Sequence, residues 1–333
     1  MVAEEMSKIK AIVLFSGGLD SILAAKIALL QGWEVRGLFL DSVFYQERVR
    51  KDAYKAAETL GLGLEIIDIS PLQYEAVKNP RFGWGRNLNP CLDCRIIMFR
   101  KAKQYLEKEK GDILVSGEVA GERPFSQRRQ SMRQIEKAAG IEGILLRPLS
   151  HSCSSLPLEK VKSSLNRELL FDIKGRSRSK QMELAKKWAI FNYPSPAGGC
   201  LLTDAQFCRR LKDYLARYSD FDINILKLLK LGRHFSLSSE TKLIVGRHKE
   251  DNAAIKELAR DTYLQFFPLS CRGPFAVGIG RFEEENLHLA LRIVARYTDK
   301  EAVSVEVVVV RPQGRFSYRV SPLEDEVICR LRI

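Results

Sequence analysis

Three of the seven cysteines in this 333-residue chain stand where a thiol can react. Cys91 and Cys94 form a Cys-Leu-Asp-Cys pair after the loop-forming run Asn79 to Pro90, and Cys200 closes the run Asn192-Tyr-Pro-Ser-Pro-Ala-Gly-Gly-Cys200. Two prolines and two glycines make that run a stiff, tight turn that presents Cys200 with little side-chain cover. An inert cysteine sits more often in a strand or helix among apolar neighbours, so Cys200 reads as a reactive or ligating thiol. The Cys91–Cys94 pair admits a metal knuckle, a redox pair or a structural coincidence. With no second Cys-x-x-Cys it does not make a self-contained zinc finger. The other string with chemical content is Ser16-Gly17-Gly18-Leu19-Asp20-Ser21. Its glycines let backbone N–H groups turn inward and admit a ligand closely, and with the positive end of a following helix they form a pocket for phosphate oxygens. Ser16 and Ser21 add hydroxyls, and Asp20 is placed to hold a cation or to cap the helix.

The elements that must position these groups follow from periodicity. Ala11 to Phe15 is an apolar strand, and Leu23, Ile27 and Leu30 fall at helical spacing before Gly32. Val35 to Leu40, ending at Asp41, and Leu64 to Ile69 are further strands, with a helix from about Gln46 closed by Gly61 between them. Ile113 to Val115 and Ile144 to Leu146 continue the alternation. Strands alternating with helices predict an α/β fold with a parallel sheet covered on both sides. Ligands of such sheets sit at the carboxyl ends of the strands, where Ser16, Asp41 and Ser116-Gly117 fall. After a basic helix over 205–220 the pattern changes to short strands and helices, which predicts a second, smaller α+β domain.

Composition bounds the class. Hydrophobic residues at 45% and charged residues at 29% suit a soluble globular chain. No apolar run approaches the roughly 20 residues of a membrane span. The polar start Met1 to Lys10 is no signal peptide, so the expected location is cytoplasmic. In that reducing compartment the cysteines are not a disulfide framework; Cys153, Cys208, Cys271 and Cys329 read as packing residues. The net charge of +13 favours a polyanionic partner, against the alternative of a generally basic surface.

Ser16 to Ser21 resembles the PP-loop of the ATP pyrophosphatases, S-G-G-x-D-S; no Gly-Lys-Ser/Thr follows as in a Walker loop. The resemblance implies ATP with Mg2+ and attack at the α-phosphate, giving an adenylated substrate and pyrophosphate. Asn89-Pro-Cys-Leu-Asp-Cys94 resembles the N-P-C-x-x-C signature of MnmA-type tRNA thiolases, whose second essential cysteine Cys200 matches in order and context. Gly117-Glu118-Val-Ala-Gly-Glu122-Arg-Pro-Phe-Ser-Gln127 resembles the G-E-x-x-G-Q-x-x-S-Q loop of ThiI-type 4-thiouridine synthetases, with one extra residue and Glu122 in place of Gln. Arg147-Pro148-Leu149 resembles the R-P-L of the same enzymes, while the T-G-H-Y motif of the MnmA branch is lacking. Arg123, Arg128, Arg129 and Arg133 cluster nearby, as a solvated face or as contacts to ATP or RNA. In the C-terminal part, Leu231-Gly-Arg-His-Phe235, Lys242 to Arg247 and Asp251-Asn252 resemble the NFACT-R RNA-binding module, with His248 where its motif has Asn.

The resemblances imply a PP-loop domain over 1–204, a linker helix over 205–220 and an NFACT-R-like domain over 221–333. They imply a tRNA thiouridine synthase, in which a uridine carbonyl is adenylated and sulfur displaces AMP, with C4 slightly ahead of C2 as the position. Cys200, Cys91, Cys94 and Asp20 would carry catalysis, and Ser16, Gly17, Gly18, Asp20, Ser21, Asp41 and Gly117 would hold the nucleotide. Three thiolates suit a [4Fe-4S] cluster with one open iron, whereas persulfide chemistry needs only two. Arg233, Lys242, Arg247 and Lys249 are the expected RNA phosphate contacts. The partners would be tRNA and a sulfur donor, either sulfide or a persulfide carrier; the oligomeric state is open, a homodimer being one option. Two other classes fit less of the sequence. A PP-loop amide ligase would turn over without the cysteines, and a non-catalytic, nucleotide-regulated RNA-binding protein would release no AMP.

Overall fold

The computed structural model describes residues 8–154, 159–195, 199–218, 220–259, 261–299 and 303–333. The chain divides into two compact units between Thr203 and Asp204. In the first, β1 (Lys10–Leu14), β2 (Glu34–Asp41), β3 (Gly63–Asp68), β4 (Ile113–Ser116) and β5 (Leu145–Leu146) form a parallel sheet in the order β3-β2-β1-β4-β5. The chain runs outward from β1 in one direction, then returns to build on its other side. That reversal opens a crevice beyond the strand ends between β1 and β4. The helices are α1 (Leu19–Leu30), α2 (Glu47–Leu60), α3 (Ser70–Lys78), α4 (Cys91–Lys108), α5 (Arg129–Ala139), α6 (Glu159–Ser164) and α7 (Ser179–Lys187).

Alternate residues of β1 enter different cores. Ala11 and Val13 pack with Ile22, Leu23 and Ile27 of α1 and with Leu184 of α7. Ile12 and Leu14 pack with Phe99 and Leu106 of α4 and with Ile135 of α5. A strand buried on both faces must be apolar at every position, which is why β1 reads as one unbroken run. Helix α4 begins at Cys91, earlier than the apolar periodicity from Ile96 indicates, because Cys94 N already donates to Pro90 O at 2.8 Å. The Asp93 carboxylate accepts from Arg81 N at 3.2 Å and Phe82 N at 3.1 Å, which fastens the preceding loop to this first turn.

The second unit carries α8 (Ala205–Leu215), α9 (Ile223–Leu228), β6 (Arg233–Ser236), β7 (Thr241–Val245), α10 (Lys249–Leu258), β8 (Leu264–Pro268), β9 (Ala276–Gly280), α11 (Glu284–Arg296), β10 (Val305–Arg311), β11 (Gly314–Val320) and α12 (Asp325–Leu331). Its antiparallel sheet runs β11-β10-β8-β9-β7-β6. Leu287, Leu291 and Val294 of α11 cover one face, against Phe235, Leu243, Phe266 and Val307. The helix expected as a linker over 205–220 packs within this unit. Arg210 of α8 donates to Leu229 O at 3.0 Å and Gly232 O at 3.1 Å, and Asp213 holds Lys242 of β7 at 2.6 Å. No helix among the described residues is long and apolar enough to cross a membrane.

Candidate active site

The turn after β1 is closed by its own side chains. Ser21 Oγ accepts from Ser16 N at 3.2 Å and donates to Gly18 O at 2.8 Å, while Gly18 N donates to Ser16 Oγ at 3.4 Å. Two glycines let helices come close to it. Gly17 has φ +73°, and a Cβ there would lie 2.6 Å from Ala53 Cα of α2. A Cβ on Gly117, just past β4, would lie 2.4 Å from Asp20 O in the first turn of α1. Gly18 is the N-cap of α1 and no side chain caps the helix, so the capping option for Asp20 is not realised. Instead Asp20 Oδ1 is buried with no hydrogen-bond partner. Burial holds this carboxyl above the usual range, opposed by Arg178 and Arg123. An orphaned acidic oxygen beside a phosphate-sized turn is a fitting ligand for Mg2+.

A cavity of about 350 Å³ opens on this turn. Ser16, Gly18, Asp20, Ser21 and Gly117 line it, and so do Cys91, Cys94 and Cys200. Two elements bring the thiols there: the first turn of α4 supplies Cys91 and Cys94, and the Cys200 segment lies along residues 44–46 after β2. Gln46 N donates to Gly199 O at 2.9 Å and Leu201 N to Phe44 O at 2.8 Å. Asn87 Nδ2 reaches Thr203 O at 2.8 Å, tying the loop before Cys91 to the segment after Cys200. Pro196, Ala197 and Gly198 of the Cys200 turn lie outside the described residues.

The turn does not leave Cys200 bare. Burial, and then the neighbouring Cys94, push its thiol up to about 12, and burial pushes Cys94 to about 11. A folded-state value raised above the ordinary thiol range near 9 favours the neutral form. The resulting stability is present below that range and is lost as pH rises through it towards 12. Iodoacetamide is therefore expected to alkylate Cys200 at pH 8 at least ~100-fold more slowly than the exposed Cys329, as read by peptide mass spectrometry. Cys329, expected as a packing residue, is thus corrected to a surface thiol.

Cys94 Sγ accepts from Gln73 Nε2 at 3.2 Å and lies 4.0 Å from Met98 Sδ. Among the described residues no group of three His, Cys, Asp or Glu side chains is placed to hold a metal ion. The expected [4Fe-4S] cluster therefore finds no support in this geometry. Asp41 lies outside the cavity wall: its carboxylate accepts from Ser42 N at 2.9 Å and faces Arg50 at 3.4 Å. Gly17 shapes the turn without lining the cavity.

Sequence reasoning missed the charged frame beneath the site. Arg147 is fully buried, donates to Glu118 Oε2 at 2.9 Å and to Cys153 O at 2.6 Å, and pairs with Glu136. The second oxygen of Glu118 faces Arg95, next to Cys94, at 3.6 Å. Glu118 and Arg147 belong to the quoted motifs, but nothing in their spacing shows that they meet. Arg147→Met leaves the buried Glu136 carboxylate without its cation and Glu118 with Arg95 alone at 3.6 Å. It is expected to cost about 3–5 kcal/mol in urea unfolding, with recovery when Glu118→Gln and Glu136→Gln are added.

In the second unit the four expected phosphate contacts separate. Lys242 is fully buried against Asp213, and burial pushes it down to about 8, so it is a structural cation out of reach of a phosphate. Arg247 Nε pairs with Asp251 at 2.6 Å, and Arg233 stacks on the Tyr297 ring 4.5 Å from its centroid. Lys249 is exposed at the start of α10. The Asp251-Asn252 pair is a structural knot. Asp251 accepts from Gly232 N and Arg247 N, both at 3.2 Å, and Asn252 Oδ1 accepts from Phe275 N at 3.0 Å.

Residues 6–153 match the sequence model of a family described as Thiamine biosynthesis protein (ThiI), and residues 232–332 match the NFACT protein RNA binding domain. Among curated relatives, the tRNA-specific 2-thiouridylase MnmA of Acholeplasma laidlawii is 27% identical over 267 residues, covering 73% of this chain and 66% of the relative. That of Mesoplasma florum is 24% identical over 73% of this chain and 70% of its own. That of Sulfurimonas denitrificans is 33% identical over 34% of this chain and 35% of its own. The chain thus spans between about a third and seven-tenths of the length of these relatives. Among solved structures, a predicted subunit of tRNA methyltransferase from Methanocaldococcus jannaschii overlaps 54% of this chain and 76% of its own at 17% identity, with a TM-score of 0.35 that carries no argument.

A parallel sheet with this glycine turn at its switch point defines a PP-loop protein. Residues 6–153 are thus similar to the family described as Thiamine biosynthesis protein (ThiI), residues 232–332 are similar to the NFACT protein RNA binding domain, and the curated relatives are named tRNA-specific 2-thiouridylases.

Proposed function

We propose that this chain is a tRNA thiouridine synthase that adenylates a uridine carbonyl and replaces its oxygen by sulfur, releasing AMP. The observation that carries the reading is the shared cavity: the phosphate turn and three thiols line one space. Ser16, Gly18 and Ser21 would seat the phosphates of ATP, and Asp20 would hold Mg2+, which neutralises phosphate charge when bound. The carbonyl oxygen attacks the α-phosphorus and pyrophosphate leaves. The terminal sulfur of a persulfide on Cys200 then attacks the activated carbon, and AMP departs with the original oxygen. A second thiol from the first turn of α4, for which we take Cys94, attacks Cys200 Sγ. This frees the thiouridine, leaves a protein disulfide, and requires an external thiol reductant and a sulfur donor for the next turnover. The persulfide route needs two thiols, whereas a cluster with one open iron would take all three as ligands.

Incubation of the full chain with ATP, Mg2+, a persulfide donor, a thiol reductant and unmodified tRNA, under anaerobic conditions, tests the reading. Thiouridine in the digested nucleosides with matching AMP supports it, and tRNA-independent or absent AMP formation overturns it. The same digest reads the ring position: the ThiI-like loop favours 4-thiouridine, while the curated relatives are named as 2-thiouridylases. A protein whose visible absorption is lost on changing any one of the three cysteines would restore the cluster.

A further inference from the structure

Two half-exposed aromatic side chains stand on loops that approach each other near the cavity and are far apart in sequence. Phe125 is 49% exposed, and its ring lies against Gly85, 3.4 Å from where a Cβ would stand. Trp84, beside that glycine, is 50% exposed, and its Nε1 donates to Val77 O at 3.0 Å, which fixes the indole. Both loops reach the cavity wall within a few residues, through Asn89 in one and Arg123, Ser126 and Gln127 in the other. A third loop joins them: Gly175 N donates to Ala120 O at 2.8 Å, and Arg178 lines the wall. The outer positions of the three loops are cationic, with Arg86, Arg128 and Arg176 all exposed.

Large apolar rings held open to water are unfavourable unless a partner covers them. Two exposed rings on neighbouring loops that also carry exposed guanidinium groups match the chemistry of single-stranded RNA, whose bases stack on aromatic faces and whose phosphates take cations. Duplex RNA keeps its bases stacked on each other and offers these rings nothing.

We infer that Trp84 and Phe125 form a stacking collar for unpaired nucleotides of an RNA, holding the bases beside the one that enters the cavity. The inference rests on the thiouridine synthase reading for its substrate, but its test does not. Trp84 fluorescence of the full chain is titrated with a seven-nucleotide single-stranded RNA and with the same sequence as a duplex, without ATP or sulfur. Saturable quenching by the single strand, absent in Trp84→Phe and weakened roughly tenfold in affinity in Phe125→Ala, is expected, with Phe125→Tyr restoring it. Because Trp33 and Trp188 pack against the core, loss of the signal in Trp84→Phe assigns it to the collar. Equal quenching by the duplex, or none by either RNA, overturns the collar. If the chain thiolates tRNA, Phe125→Ala should raise KM for tRNA with kcat within about twofold; an unchanged KM alongside full activity sinks the collar and leaves the function standing.

Discussion

Cys200→Ala is expected to abolish thiouridine formation, by on the order of 10³-fold or more, while tRNA-dependent AMP formation persists at a reduced rate. The two steps draw on different walls of one cavity. The phosphate turn stands on β1 and α1, whereas Cys200 is fixed by hydrogen bonds to the segment after β2. Removing one sulfur leaves the turn closed through Ser16 and Ser21, so adenylation of the carbonyl proceeds and water intercepts the adenylate. Cys94→Ala should differ: a first sulfur transfer remains possible, but the product stays linked to Cys200, so less than one thiouridine per enzyme is released. Parallel assays of AMP and thiouridine, with a gel for protein–RNA adducts, check both. Loss of AMP together with thiouridine in Cys200→Ala would place the thiol in adenylation and contradict the division of labour.

Gly117→Ala and Gly17→Ala are expected to raise KM for ATP by roughly 10²-fold. The new methyl of Gly117→Ala meets the backbone of Asp20, with the carbonyl carbon at 2.5 Å, so it cannot be accommodated by a side-chain swing. Helix α1 must shift away from β4, carrying Asp20 and Ser21 out of register with Ser16. At Gly17 the methyl meets Ala53 Cα and, in addition, demands φ +73° of an L residue. Each change should also lower unfolding stability by about 2–4 kcal/mol, measured by urea titration. Pyrophosphate release assayed well below the unfolding transition separates the lost site from lost folding. A KM within twofold of the parent in a folded Gly117→Ala protein would mean that α1 does not set the phosphate site.

The parallel sheet and its phosphate turn were legible because a strand covered on both faces must be apolar throughout, and because the turn's glycines and serines are consecutive. The convergence of Cys91, Cys94 and Cys200 was expected from the resemblance, but the segment that brings Cys200 there was not: it lies along residues 44–46, which no local pattern records. Asp41 sits at a strand end as expected, yet its carboxylate is taken up by Ser42 and Arg50. Lys242 looked like a surface cation because the face it occupies is set by antiparallel pairing with β6 and β9, and α8 supplies Asp213 over it. The exposed edge strand β11, with Arg315 and Arg319 among its aromatics, carries no apolar run to betray it.

The most direct test of coupled adenylation and sulfur transfer follows one oxygen atom. A tRNA transcript carrying ¹⁸O at the target uridine carbonyl is incubated with the full chain, ATP, Mg2+ and a sulfur donor with reductant, and the AMP is weighed by mass spectrometry. AMP bearing one ¹⁸O per thiouridine formed is expected, since the carbonyl oxygen leaves bonded to the α-phosphorus. Unlabelled AMP alongside thiouridine would show that the carbonyl was never adenylated and would contradict the central claim.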